Sequence, residues 1–277
     1  WIDHAVAPTN LGGDIMKGKG DVPGAEAYHA DLTLAYGVEY VWRGRVTSVV
    51  GQGVRRRIAE IYDERYPRAS FVTFFKEFTK GVLGKIPGSR FRLHASNKVL
   101  QNITLRDGQS TREFFRTSPH PYGVSAADRG DRLYEVLCSK TLDLLSERRG
   151  TAIVYTHLGK TGDRDKIFPA KTIDALRQVQ GRAESRELLV ATTARTLDYH
   201  TMLDSLDWDV TSTADGVAIH CNSDERKLQG LTFVVSGASS VRLVANGELL
   251  SVESHVIDAD RVAVQVPWNP LVFPEFG

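Results

Sequence analysis

Cysteine is scarce in this chain of 277 residues. Cys138 and Cys221 stand in unrelated contexts, too few for a disulfide framework or a four-cysteine zinc site. Both read as small buried hydrophobes, so sulfur does not set the compartment, and the cytoplasm is the expectation. Long hydrophobic runs are also missing. None approaches the roughly 20 apolar residues that a bilayer span needs. Neither sign of charge is in excess: 35 Lys and Arg against 34 Asp and Glu leave a net charge of +1. That balance argues against a dedicated nucleic-acid binder, which needs a concentrated basic face. No basic segment followed by an apolar one opens the chain as a signal peptide would. The first residue is Trp1 rather than Met, and the expectation is that an upstream segment has been removed. What is present, 42% hydrophobic and 25% charged residues, is the composition of a core-forming globular domain.

Along the chain, residues 1–6 read as a short strand entering a long glycine-rich loop, a type that is usually functional or mobile. Residues 25–36 have a helical pattern closed by Gly37, and residues 38–42 read as a strand ending in Arg43-Gly44-Arg45. Helices are predicted near 53–65 and 70–83, the second carrying Phe71, Phe74, Phe75 and Phe78 as one apolar stripe. A strand over 99–105 meets the Asp107-Gly108 turn, and residues 117–130 form a polar loop with His120 and Tyr122. From Asp131 the order is helix, strand (152–155), helix (170–183), strand (188–192) and helix (194–206). Such alternation implies a parallel sheet or barrel with helices outside. Beyond Trp208 short β runs are separated by Ser236-Gly237 and Asn246-Gly247, the second a strong hairpin signal. The expected organisation is an α/β barrel over 1–209 and an antiparallel β appendage over 210–277.

Three familiar motifs fail. Gly159-Lys160-Thr161 ends like a phosphate loop, but Val154 stands where its first glycine belongs. Gly51 and Gly53 lack the third glycine of a dinucleotide fingerprint, since Arg56 occupies that place. No Gly-x-Ser-x-Gly nucleophile elbow occurs. The histidines are more informative. Asp3, His4 and His157 each follow a predicted parallel strand, and strand C-termini line the active sites of βα barrels. His157 is the best single candidate for metal ligation or proton transfer, against capping the strand through hydrogen bonds. His29 and Asp31, two apart, share one metal only if the local helix is irregular; a surface histidine is the plainer reading. Arg43 can hold a carboxylate bidentately or form an ion pair on the rim. His120, beside Tyr122, is placed along a sugar-binding cleft.

The stretch Thr151-Ala152-Ile153-Val154-Tyr155-Thr156-His157-Leu158-Gly159 resembles the final barrel strand of the polysaccharide deacetylases, carbohydrate esterase family 4 with its NodB-homology barrel. There an apolar strand ends in Leu-x-His, and the histidine is the general acid. Ala175-Leu176 on the next helix and the run from Leu188 to Arg195 are similar to the family's late helix and strand. Trp1-Ile2-Asp3-His4, with Asn10 and its glycines, resembles loops in deacetylase-like proteins of bacterial surface-polysaccharide clusters. The resemblance covers residues 1–45 and 130–206. The family's Thr-Phe-Asp-Asp strand and His-(Ser/Thr)-x-x-His motif are absent from the chain. Either they lie upstream of Trp1, leaving the barrel incomplete here, or Asp3, His4, His29 and Asp31 substitute for them.

The resemblance implies metal-assisted deacetylation of an N-acetylated sugar. A divalent ion, expected to be zinc and held by His4, His29 and Asp31, would lower the pKa of a bound water to about 7. Asp3 would take the proton of that water, Arg43 would orient Asp3, and His157 would protonate the departing amine. Two other readings stand beside it: a catalytically inert sugar-binding or assembly protein on the same barrel, and a different metal-dependent barrel hydrolase. The expected partner is a carbohydrate substrate, with no nucleic acid and no membrane span.

Overall fold

The computed structural model describes residues 1–162, 168–223 and 227–269. By internal contacts the chain falls into two units, Trp1–Ala191 and Thr192–Gly277. The helix over 193–205 therefore belongs to the second unit, not to the barrel portion ending at 209 to which its sequence position assigned it. Residues 270–277 of the expected appendage lie outside the described residues.

In the first unit the helices are α1 (Ala30–Ala35), α2 (Pro67–Leu83), α3 (Arg92–Ser96), α4 (Leu133–Val136), α5 (Ser139–Arg148) and α6 (Ala170–Glu184). The strands are short: β1 (Tyr40–Val41), β2 (Val46–Thr47), β3 (Leu100–Thr104), β4 (Ser110–Phe114) and β5 (Arg116–Thr117). They make a three-stranded sheet in the order β1-β4-β3 and a two-stranded β2-β5 ladder. Parallel pairing dominates away from the β3–β4 hairpin. β1 runs parallel to β4 and β2 to β5, and single parallel bridges join Ile2 to Trp42, Thr117 to Val154 and Arg129 to His157. These parallel ladders lie ahead of the helix–strand alternation read from Asp131 onward, whose strand over 152–155 is reduced to single bridges at Val154 and His157; among the described residues the sheets stay small and separate and close no barrel. Residues 188–192 are not a strand. The backbone N–H of Leu188 bonds back to Arg182, and Leu189 and Val190 are exposed. Without a neighbouring strand to ladder with, an apolar run is not held extended. The predicted helix near 53–65 is reduced to a turn at Ile58–Ile61, because Gln52 pairs with Thr151 and Gly53 with Asn97 instead.

α2 inverts the expected pattern. Its buried residues are Ser70, Thr73, Glu77 and Gly81, while Phe71, Phe75 and Phe78 are exposed. The inward face is polar because it meets polar partners. Ser70 Oγ accepts from the Asp63 amide (3.0 Å), and Thr73 Oγ1 donates to the Pro121 carbonyl (2.7 Å). Glu77 is 2% exposed and is met by Arg56, Lys80, His94 and Thr47. At Gly81 the backbone runs close to the Arg56 guanidinium, which a Cβ there would displace.

The second unit packs α7 (Thr193–Ser205) with two sheets. β6 (Trp208–Thr213), β7 (Gly216–Cys221), β9 (Val241–Ala245) and β10 (Glu248–Leu249) form one sheet, in the order β10-β9-β7-β6. β8 (Thr232–Ser236), β11 (Glu253–Val256) and β12 (Arg261–Gln265) form the other, in the order β11-β12-β8. Both contribute to one core with Met202, Ile219, Cys221, Leu228, Leu231, Leu243 and Val266. The appendage is not wholly antiparallel, since β7 and β9 run parallel from Val217–Val241 onward. Asn246 and Gly247 both take positive φ, the tight turn that the Asn-Gly pair favours between β9 and β10. Among the described residues no helix is long and apolar enough to cross a membrane.

Candidate functional site

The parallel bridges send the segments ending at Asp3, Thr47, Thr117 and His157 in one direction, so the residues just beyond them gather at one edge. In open α/β sheets that carboxyl edge is where ligands bind. Two of the sequence candidates meet there: the rings of His4 and His157 lie 5.6 Å apart, edge to face. His157 is held from behind. Its backbone N–H donates to the Asp128 carbonyl (2.8 Å), its Nδ1 lies 3.1 Å from the same oxygen, and the Asp128 carboxylate is 3.6 Å away. A carbonyl oxygen can only accept, so Nδ1 carries the proton and Nε2 is turned to the other side. Lys160 Nζ contacts the Asp128 carboxylate at 3.0 Å and holds it in place. The His157 side chain is 31% exposed, reachable by a ligand yet fixed.

Below the histidine pair lies an aromatic layer that the sequence reading did not identify. Tyr155 packs edge-on to His157 (5.2 Å) and against Trp42 (5.4 Å). The Arg116 guanidinium stacks over both rings, 4.9 Å from Trp42 and 5.3 Å from Tyr155. Its Nε is buried without a hydrogen-bond partner, and burial pulls its pKa down. The legible signal was a charged residue directly after the apolar Phe114-Phe115; what it stacks on was not legible, because Trp42 and Tyr155 are distant in sequence. Asp128 was missed for the same reason.

The remaining candidates are engaged elsewhere. Asp3 is fully buried. Its Oδ1 accepts from the Leu11 amide (2.8 Å) and Trp1 Nε1 (2.9 Å), and its Oδ2 accepts from the Gly12 amide (2.7 Å). Burial pushes its carboxyl up, against the pull of those bonds and of the nearby Arg43 charge. This carboxylate anchors the glycine-rich loop and presents no open oxygen to a water, in place of the base role expected for it. Arg43 forms the rim ion pair: its Nε and Nη2 reach Glu113 at 3.1 and 3.2 Å. His29 Nε2 faces the Thr9 carbonyl at 2.7 Å and so carries the proton, while Nδ1 takes the Thr33 hydroxyl at 2.7 Å. With both nitrogens used, His29 has no lone pair for a metal. Asp31 is exposed and accepts from the Leu32 amide. The set His4, His29 and Asp31 therefore does not fit a zinc ion as arranged, and among the described residues no three His, Cys, Asp or Glu side chains form such a group.

Asp3→Ala is expected to loosen the loop rather than to abolish a chemical step. Leaving the buried Leu11 and Gly12 amides without an acceptor should cost about 1–3 kcal/mol. Faster amide exchange at Leu11 and Gly12, with a lower denaturant midpoint, is the result to look for; unchanged exchange would reject the anchoring role.

A cavity of about 300 Å³ opens at the ends of β2 and β5, lined in part by Tyr66, His120, Tyr134, Glu135, Lys140 and Lys171. His120 thus does line a cleft. Its Nδ1 accepts from the Tyr122 amide (3.2 Å) and its Nε2 donates to Glu135 (2.6 Å), so the neutral ring has no nitrogen left for proton transfer. Burial lowers the His120 pKa against the pull of Glu135. Arg132 in turn grips Glu135 with two bonds of 2.9 and 3.0 Å. His120 is a rigid wall of the cavity. Comparison with family models, with curated proteins and with solved structures gave no match.

Proposed function

We propose that the chain hydrolyses an N-acetylated carbohydrate at the strand-end edge, with His157 as the proton donor. The observation that supports this is the orientation of His157: Nδ1–H is committed to Asp128, Nε2 points away from it, and His4 stands beside the ring. A histidine so held takes the proton of the attacking water on Nε2 as the water oxygen bonds to the acetyl carbon, and passes it to the departing amine nitrogen as the C–N bond breaks and acetate is released. Asp128 fixes the tautomer, and Lys160 fixes Asp128. The cavity lined by Tyr66, Tyr134 and charged side chains offers groups suited to sugar hydroxyls. Because the expected zinc ligands do not fit the ion, no step is assigned to a metal.

A second reading, recognition of a carbohydrate without turnover, draws its support from Asp3 and His29, whose polar atoms are spent on the loop. One experiment separates the two. Acetate release from N-acetylated oligosaccharides is followed with and without added zinc, alongside calorimetric binding of the same sugars. Acetate release supports hydrolysis. Binding without acetate supports recognition. Neither binding nor release would overturn both.

A further inference from the structure

We infer that the outward face of α2 is a docking surface for an anionic lipid membrane, lying on the bilayer rather than crossing it. Phe71, Phe75, Phe78 and Val82 are 66%, 59%, 47% and 50% exposed. At 100° per residue their spacing of 4, 3 and 4 confines them to one stripe about 60° wide. Val72 and Leu83 widen the stripe, and Ile86 extends it past the helix end. Scattered surface hydrophobes need no explanation, but contiguous aromatic ones on a single helix mark an interaction site.

The charges around this stripe choose the partner. Arg68, Lys76, Lys85, Arg90 and Arg92 are all exposed. Between Pro67 and Val99 the sole acidic residue is Glu77, which points inward and is spent on Arg56, Lys80 and His94. The surface is therefore aromatic at its centre and basic at its edges, and residues 67–99 contribute no exposed carboxylate to it. A helix with phenylalanines on one side and Lys and Arg beside them is suited to the boundary between headgroups and acyl chains. A whole-chain charge of +1 conceals this segment, because the acids lie elsewhere. The stripe is free to face lipid because the opposite face of α2 already satisfies the fold through Ser70, Thr73, Glu77 and Gly81.

The test is cosedimentation of the whole chain with phosphatidylcholine vesicles, with and without phosphatidylglycerol, at low and high salt. The chain should pellet with the phosphatidylglycerol vesicles alone, and less so as salt rises. Lys76→Glu should weaken partitioning about fivefold for each of the two charge units changed. Phe75→Ser should weaken it about tenfold, through the lost apolar burial. Both side chains are exposed, so circular dichroism and the thermal midpoint should not change. Failure of the folded parent chain to pellet would overturn the proposal, as would variants that bind as well as the parent. Sedimentation velocity showing a dimer that Phe75→Ser dissociates, with no vesicle binding, would instead assign the face to a second copy of the chain.

Discussion

Glu77→Gln is expected to cost about 3–5 kcal/mol of folding stability, a large share of the 5–15 kcal/mol typical of a domain. For the larger unit this corresponds to a fall of about 6–20 °C in Tm. The carboxylate is 2% exposed and lies 2.9 Å from Arg56 Nη2, 2.9 Å from Lys80 Nζ and 3.3 Å from His94 Nδ1, and it accepts the Thr47 hydroxyl at 2.9 Å. Removing the charge strands two cations against each other in a poorly solvated place, and this residual repulsion produces most of the loss. Burial alone would raise the carboxyl pKa; the His94 bond, the Lys80 charge and the other contacts more than reverse that and hold it far below the usual range. A depressed folded pKa gives stability that is complete above the unfolded value, about 4.3. It is lost as pH falls towards the folded value. Denaturation of parent and variant should therefore differ fully at neutral pH, and the gap should shrink steadily below about pH 4.3. A neutral-pH difference under about 0.5 kcal/mol, the size of an ordinary surface change, would show that the cluster does not stabilise the fold.

On the proposed hydrolysis, His157→Ala should lower kcat by about 10²–10⁴-fold while KM changes little, because a proton donor acts in the transition state and hardly touches ground-state binding. The measurement is acetate release under saturating N-acetylated oligosaccharide. Asp128→Asn separates chemistry from positioning. It leaves the backbone carbonyl that receives Nδ1–H but removes the carboxylate 3.6 Å from the ring and the anchor of Lys160. A smaller fall in kcat, again without a matching rise in KM, is expected from it. Undiminished turnover in His157→Ala would end the assignment of this residue. Equal losses in kcat/KM and in sugar affinity would instead make it a binding residue.

Local signals carried well where the local chain determines the outcome. Asp107-Gly108 predicted the turn after the strand over 99–105, which the structure closes into the β3–β4 hairpin, and Asn246-Gly247 predicted the β9–β10 turn, because these pairs accept backbone angles that others resist. The apolar run over 152–155 reads as a strand ahead of His157, but it forms no strand, only single bridges at Val154 and His157. Proximity of His4 to His157 was expected on topological grounds and is observed at 5.6 Å. What each side chain does with its polar atoms was not legible. Asp3 and His29 look like catalytic and metal-binding types in sequence, yet Asp3 is taken up by the Leu11 and Gly12 amides and Trp1 Nε1, and His29 by the Thr9 carbonyl and the Thr33 hydroxyl, contacts that no residue pattern specifies.

The amino-acid sequence by itself determined the composition of a core-forming domain, the turns at asparagine and glycine, and most long helices. These depend on neighbours a few residues apart. Only the tertiary structure decided which way α2 faces, that α7 joins the second unit, and that Asp128 and Arg116 stand beside the histidine site. The stripe of phenylalanines has the period of a buried face, but period states only that one side of a helix differs from the other. The choice of side came from Glu77, whose charge had to be met by Arg56 and His94 from distant parts of the chain. Burying that charge without them would cost more than exposing three aromatic rings.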